Sequence, residues 1–377
     1  MKIKSILVFF FVTILGFTFT LLLLNYLVDK NPKSIILSPL QKQNKQHIIG
    51  FLPYWFIGKT DKDYSQYLTN ITYFGLTVEG DGKIQKYTNP GEAEPGWQAL
   101  NSGKFTPSKN LQNSLLIFSG DPDTINELVS EPASHAATLV SQINPIMEQY
   151  GFTDLNLDIE NVLYASESAR LHFTAFIKEV KSRINTTLTI DASPTDLIKS
   201  RLINLEAVEP YVDYIVLMTY DYHYPGSQVS GAVAPVGGVG IDSEFDVETG
   251  IQKALEVLPK NKIILGIPLY GYEWETLTDY PRSATLPGSG ITASNKRVEE
   301  FLASCASCSA QIEANSQESY LIYYDQEYKT YHQIFYPDAQ AVQEKIDLVK
   351  KYKLGGMAFW ALGYEGQTIL EPVKTYK

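Results

Sequence analysis

Short apolar segments alternate along this chain with longer stretches whose apolar residues recur at helical spacing. The strand-like segments are IIGFLPYWFI (48–57), ITYFGLTV (71–78), SLLIFSG (114–120), FTDLNLDIE (152–160), TLTIDAS (centred on 188–193), VDYIVLMTYDY (212–222), KIILGIPLYGY (262–272) and LGGMAFWAL (354–362). Helical patterns run through HAATLVSQINPIMEQY, SARLHFTAFIKEVKSRI, VETGIQKALEVL and AVQEKIDLVKKY. Strands with helices between most of them predict a parallel sheet with right-handed crossovers. Eight such units over about 330 residues predict an α/β fold, the closed (β/α)8 TIM barrel. An open doubly wound sheet would want a Gly-rich phosphate loop, whereas GGVG at 237–240 follows no strand and reads as a turn.

The spacing breaks once. Roughly 70 residues separate the seventh strand from the next helix, and they include the aromatic, alternating segment SYLIYYDQEYKTYHQIFY. That is hairpin material rather than barrel helix. A small α+β insertion is therefore expected at 275–335, on the C-terminal face of the barrel, with residues 80–112 as a second, smaller loop wall. Cys305 and Cys308 lie within the insertion; a local disulfide, free thiols and a redox or metal role all remain open for them.

The N-terminus follows a different pattern. After a short flank (1–5), residues 6–28 are free of charge and long enough to cross a bilayer as a helix, for which about 20 residues suffice. The run has no small-residue cleavage site, so an uncleaved transmembrane signal-anchor is expected; secretion after signal cleavage and a buried soluble helix are the alternatives. The polar, Pro-broken stretch 29–47 reads as a linker and 48–377 as the barrel domain. Lys2 and Lys4 favour a cytoplasmic N-terminus, though Lys30 and Lys33 follow the span closely. The expected location is thus a membrane-anchored, extracytoplasmic catalytic domain.

Composition adds little: 44% hydrophobic and 19% charged residues are ordinary for a globular protein. The net charge of −11, without a basic cluster, argues against nucleic acid as a partner.

The chemistry concentrates on the fourth strand. Side chains alternate along a strand, so Leu155, Leu157 and Ile159 should face the helices and Asn156, Asp158 and Glu160 the barrel axis. Glu160 falls at the C-terminal end, where barrel enzymes keep their chemistry. Two adjacent inward carboxyls cannot both ionise cheaply, so one should hold a proton near neutral pH. Such an acid suits glycosidic cleavage; a hydrogen-bonded structural network or a metal site would equally account for the pattern. No pair of His residues supports zinc.

The segment Thr153-Asp154-Leu155-Asn156-Leu157-Asp158-Ile159-Glu160 resembles the strand-four motif D-x-x-D-x-D-x-E of glycoside hydrolase family 18, the chitinase-like barrels. Thr153 replaces the first Asp, Asp154 the usual Gly and Asn156 the commonest Asp. The N-x-D-x-E form is similar to the chitobiase and bacterial spore-cortex branches. Met218-Thr219-Tyr220-Asp221, GIPLYGYEW (266–274), GGMAFWAL (355–362) and GFLPYW (50–55) resemble other family segments in the same order, so the resemblance covers about 48–372.

It implies a retaining, substrate-assisted hydrolase of β-linked N-acetylglucosamine-containing glycans, peptidoglycan or chitooligosaccharides among them. In this scheme the acetamido oxygen is the nucleophile. Glu160 would be the general acid and then the base. Asp158 would orient the acetamido group, and Asn156 would support Asp158 through a hydrogen bond, leaving Asp158 less perturbed than with an Asp there. Tyr220 would align the acetamido carbonyl. Asp221, Trp360 (as sugar platform), Tyr270, Tyr54 and Trp55 would bind substrate. Each aromatic also has a plain reading as core packing. The scheme requires no cofactor and no metal; its partner is an N-acetylated polysaccharide or oligosaccharide. The main alternative is a non-catalytic glycan-binding barrel at the cell surface.

Overall fold

The computed structural model describes residues 46–60, 62–160, 163–241 and 243–377. The apolar run 6–28, its flank and most of the linker lie outside them. Among the described residues no helix is long and apolar enough to cross a membrane.

In chain order the barrel strands are β1 (His47–Pro53), β2 (Asn70–Thr77), β3 (Gln112–Ser119), β4 (Asp154–Ile159), β5 (Thr187–Ala192), β6 (Tyr214–Leu217) and β7 (Ile263–Pro268). An inserted group follows: β8 (Tyr270–Thr276), β9 (Ile291–Ser294), β10 (Gln311–Ile312), β11 (Ser319–Asp325) and β12 (Thr330–Tyr336). The last barrel strand is β13 (Gly356–Trp360). The sheet closes in the order β1-β13-β7-β6-β5-β4-β3-β2, all pairs parallel. This is the expected (β/α)8 barrel with an α+β insertion after strand seven.

The crossover helices start on side chains that replace missing backbone partners. Ser166 caps Glu167–Arg183, Asp246 caps Val247–Val257 and Asp338 caps Ala339–Tyr352. Leu155, Leu157 and Ile159 pack in one apolar layer with Phe173, Phe176, Ile177 and Val180 of the following helix. The barrel interior is a separate cluster of Ile49, Phe51, Leu116, Val216, Ile264 and Ala358. Strand parity thus divides β4 as the sequence predicts.

Two boundaries differ from the sequence reading. The seventh strand stops at Pro268, and Tyr270 already pairs antiparallel with Ser294 in the inserted five-stranded sheet. The insertion sheet therefore begins at residue 270, not 275; the aromatic alternation runs unbroken across the junction and hides it. The sixth strand ends at Leu217 instead of continuing to 222. Asp221 has φ of 60°, the left-handed region that no strand residue occupies. Within the insertion, Cys305 and Cys308 are joined by a disulfide just after the helix Asn295–Ser304.

A buried ion pair ties the insertion to the barrel. Lys345 on the last crossover helix lies 3.3 Å from Glu318 at the base of β11, and both are fully buried. Glu318 also accepts from the backbone N–H groups of Val233 (2.8 Å) and Ala234 (3.1 Å) in the loop after β6. Removing one member of such a pair leaves the other charged without a partner. Lys345→Met is expected to cost about 3 kcal/mol of unfolding free energy, measured by urea denaturation of the full-length protein.

Candidate active site

Strand β4 carries Asn156, Asp158 and, directly after its end, Glu160, all toward the barrel interior. Register with the neighbouring strands sets what they meet: Asn156 lies beside Leu116 and Thr189, and Asp158 beside Phe118. Asn156 and Asp158 are buried, whereas Glu160 is half-buried. The backbone N–H of Glu160 donates to the Ser119 carbonyl (3.0 Å), which fixes the strand end.

A third acid joins them. Asp191 on β5, 3% exposed, accepts a hydrogen bond from Asn156 Nδ2 (3.0 Å). The expected Asn156–Asp158 bond is therefore replaced by an Asn156–Asp191 bond. Among the described residues, Asn156 Oδ1 and Asp158 Oδ1 are both buried without a hydrogen-bond partner. Burial raises the Asp158 pKa well above the usual carboxyl value, with the charges of Asp191 and Glu160 adding to it. Asp191 is likewise raised by burial, against the pull of the Asn156 hydrogen bond. With Asn at 156, the like charge beside Asp158 comes from Asp191 on the neighbouring strand. Glu160 is raised by burial first and by the Asp221 charge second. A protonated carboxyl can donate where a carboxylate only accepts, so this environment favours a set of acids that shares protons.

Tyr220, just after β6, faces these acids. Gly266 on β7 makes room for it: a Cβ there would lie 3.0 Å from the tyrosine ring and 2.7 Å from the Leu217 carbonyl. Burial holds the Tyr220 hydroxyl firmly protonated, and the surrounding acids reinforce this. Asp221 Oδ1 accepts from Tyr270 (2.7 Å) and Tyr272 (2.8 Å), both from the insertion. Asp221 is raised by burial while the two phenols pull the other way; its exposed surface lets solvent screen that shift. Tyr270 thus reaches the site from the inserted strand β8, not from the barrel strand.

The aromatic wall comes from β1, β2, β3 and β13. Trp360 packs against Phe51 (ring centroids 5.8 Å) and Phe74 (4.9 Å), and Phe74 against Phe118 (5.5 Å). Trp55 and Tyr54, on the turn after β1, continue it, with Trp55 edge-on to Phe74 at 5.7 Å. One face of the barrel mouth is therefore acidic and the other aromatic.

A pocket of about 390 Å³ opens on the acidic side, and its lining includes Glu160, Asp191, Tyr220 and Asp221. Of the sequence-derived candidates, Glu160, Tyr220 and Asp221 meet there. Asp158 and Asn156 sit in the barrel interior, and Trp360, Tyr54 and Trp55 form the aromatic wall. The sequence reading missed Asp191, Tyr272 and Phe74. Asp191 was within reach of parity, since Thr189 and Asp191 alternate inward in TLTIDAS.

The chain thus closes a parallel barrel with a half-buried acid, its pKa raised by burial, directly after the fourth strand. The model of the glycosyl hydrolases family 18 matches residues 45–365, and the chain belongs to that family and is a glycosidase. It is 26% identical over 331 residues to the putative sporulation-specific glycosylase YdhD of Bacillus subtilis, covering 84% of this chain and 72% of that protein. It is also 26% identical to the cortical fragment-lytic enzyme of the same organism, covering 80% of this chain and 66% of that enzyme. Among solved structures, the fold matches the Bacillus cereus spore cortex-lytic enzyme SleL (TM-score 0.69, 20% identity, 87% of this chain and 73% of that one). It equally matches a Cycas revoluta family 18 chitinase (TM-score 0.73, 18% identity, 88% and 99%).

The raised acids make a prediction about stability. Asp158 and Asp191 bind protons more tightly in the folded than in the unfolded chain. Their contribution is therefore fully present below the ordinary Asp range of about pH 4 and is lost as pH rises through the raised values. Asp191→Asn keeps the acceptor for Asn156 and removes a charge. It should raise the thermal midpoint near neutral pH and leave it unchanged in acid, as followed by circular dichroism.

Proposed function

We propose that this glycosidase cleaves β-linked glycans containing N-acetylglucosamine by a retaining, substrate-assisted mechanism. The observation that carries the reading is the position of Glu160: half-buried at the end of β4, lining the pocket with Tyr220, its pKa raised by burial and by Asp221. A carboxyl held protonated beside a pocket suits donation to a glycosidic oxygen.

Glu160 delivers its proton to the leaving oxygen while the acetamido oxygen of the substrate attacks the anomeric carbon. Asp158 passes its proton to the neighbouring Asp191 and, so ionised, steadies the positive charge of the oxazolinium. The Tyr220 hydroxyl donates to the acetamido oxygen and aligns it. Glu160, now ionised, takes a proton from the water that opens the oxazolinium. Trp360 offers an aromatic face for the apolar side of the sugar, with Tyr54 and Trp55 extending that wall. Asp221, held by Tyr270 and Tyr272, meets the sugar and adds to the burial that raises the pKa of Glu160. The proposed location is extracytoplasmic, attached through the apolar run 6–28. The disulfide Cys305–Cys308 supports an oxidising compartment.

Two measurements test this. Glu160→Gln should lower turnover of N-acetylglucosamine oligomers by at least about 100-fold, with products identified by mass spectrometry. An unchanged rate would refute the assignment. In the pH profile of kcat/KM, activity falls as pH rises through the Glu160 pKa, because the acid loses its proton. Asp221→Asn removes the charge that raises that pKa, so the basic limb should move to lower pH.

A further inference from the structure

The pocket has a cationic edge that this mechanism does not use. After β5, Ser193 and Asp196 form a reciprocal capping box around the turn Pro194–Leu197. Asp196 is pushed up to about 6, chiefly by burial. The loop is then pinned by the buried side chains of Pro194, Leu202 and Ile203. Lys199 and Arg201 lie between these anchors, and both line the same pocket as Glu160.

Arg201 is unusual among the five arginines of this chain. Arg170, Arg183, Arg282 and Arg297 each meet a carboxylate: Glu167, Glu179, Glu313 and Glu273. Among the described residues Arg201 has no ion pair, and its Nε is buried without a hydrogen-bond partner. Asp196 feels the guanidinium charge, yet the two form no ion pair. A half-buried guanidinium presents a planar fork that matches a carboxylate, and leaving it unmatched is costly. Lys199 is exposed on the same loop and likewise has no carboxylate partner among the described residues. The pocket is otherwise lined by acids, Asp191, Asp196, Asp221 and Glu244 with Glu160, so a bound anion would be drawn to this one edge.

We propose that Arg201, assisted by Lys199, forms a subsite for a carboxylate carried by the glycan beside the bond that is cut. This deepens the proposed glycan hydrolysis and rests on it. It selects N-acetylated chains that alternate with carboxylate-bearing muramoyl sugars over uncharged N-acetylglucosamine chains. Arg201 is the specificity-determining group, and Lys199 adds a charge that solvent ions screen.

The test separates binding from turnover. Full-length protein carrying Glu160→Gln is titrated calorimetrically with three probes. These are chitotetraose, the N-acetylglucosamine–N-acetylmuramic acid tetrasaccharide with free lactyl carboxylates, and the same tetrasaccharide bearing dipeptide stems in amide linkage. Charged tetrasaccharide should bind more tightly than chitotetraose, and adding Arg201→Gln should weaken it about tenfold or more while leaving chitotetraose unchanged. Lys199→Gln should have a smaller effect that fades at high salt. If the stem-bearing probe keeps the Arg201 dependence, the carboxylate read is that of the stem; if it loses it, the lactyl group is read. Equal binding of all probes, equal weakening of all by Arg201→Gln, or no binding of any would overturn the subsite. Hydrolysis by the parent enzyme is scored separately, so loss of turnover alone would count against the hydrolase reading and not against the subsite.

Discussion

Everything at the mouth of this barrel follows from placing Asp158, Asp191 and Glu160 where water cannot solvate them fully. Each carboxyl is raised by burial, and the charges of Asp191 and Glu160 raise Asp158 further. The fold can hold such a group because β4 and β5 are locked in register on both sides and their outward faces are packed against helices. Hydrophobic burial on one face of β4 thus offsets electrostatic cost on the other. The acids are in turn available to hold and release protons, which is what glycosidic cleavage needs.

The insertion acts on the same group from outside the barrel. Its strand β8 supplies Tyr270 and Tyr272, which bond to Asp221, and the Asp221 charge bears on Glu160. The link is mechanical as well, since Glu318 at the base of β11 binds two backbone amides of the loop after β6 and the buried Lys345. A segment that interrupts the barrel pattern therefore helps to set the proton affinity of an acid on the fourth strand. The aromatic wall, by contrast, is built by β1, β2, β3 and β13.

Much of this was legible in the sequence because strand parity admits no drift. Knowing that Leu155, Leu157 and Ile159 are apolar fixes where Asn156, Asp158 and Glu160 point. Alternation of strands and helices likewise gave the barrel. Contacts between strands were less legible. Asn156 bonds Asp191 and not Asp158, because register across two strands, not spacing along one, decides its partner. The junction at Tyr270 was hidden by continuous aromatic alternation, and the early end of β6 by a left-handed Asp221 with no Gly or Pro to mark it. Arg201 carries no periodic signal at all: its interest lies in forming no ion pair among the described residues, which only three dimensions reveal.

The most direct test of the central claim is a carboxyl carbon NMR titration of the folded protein with selective assignment of Asp158, Glu160 and Asp191. Resonances that titrate above the ordinary Asp and Glu range of about 4, with Asp158 moving downward in Asp191→Asn, are the result this account predicts. Three acids that titrate independently within the ordinary range would contradict it.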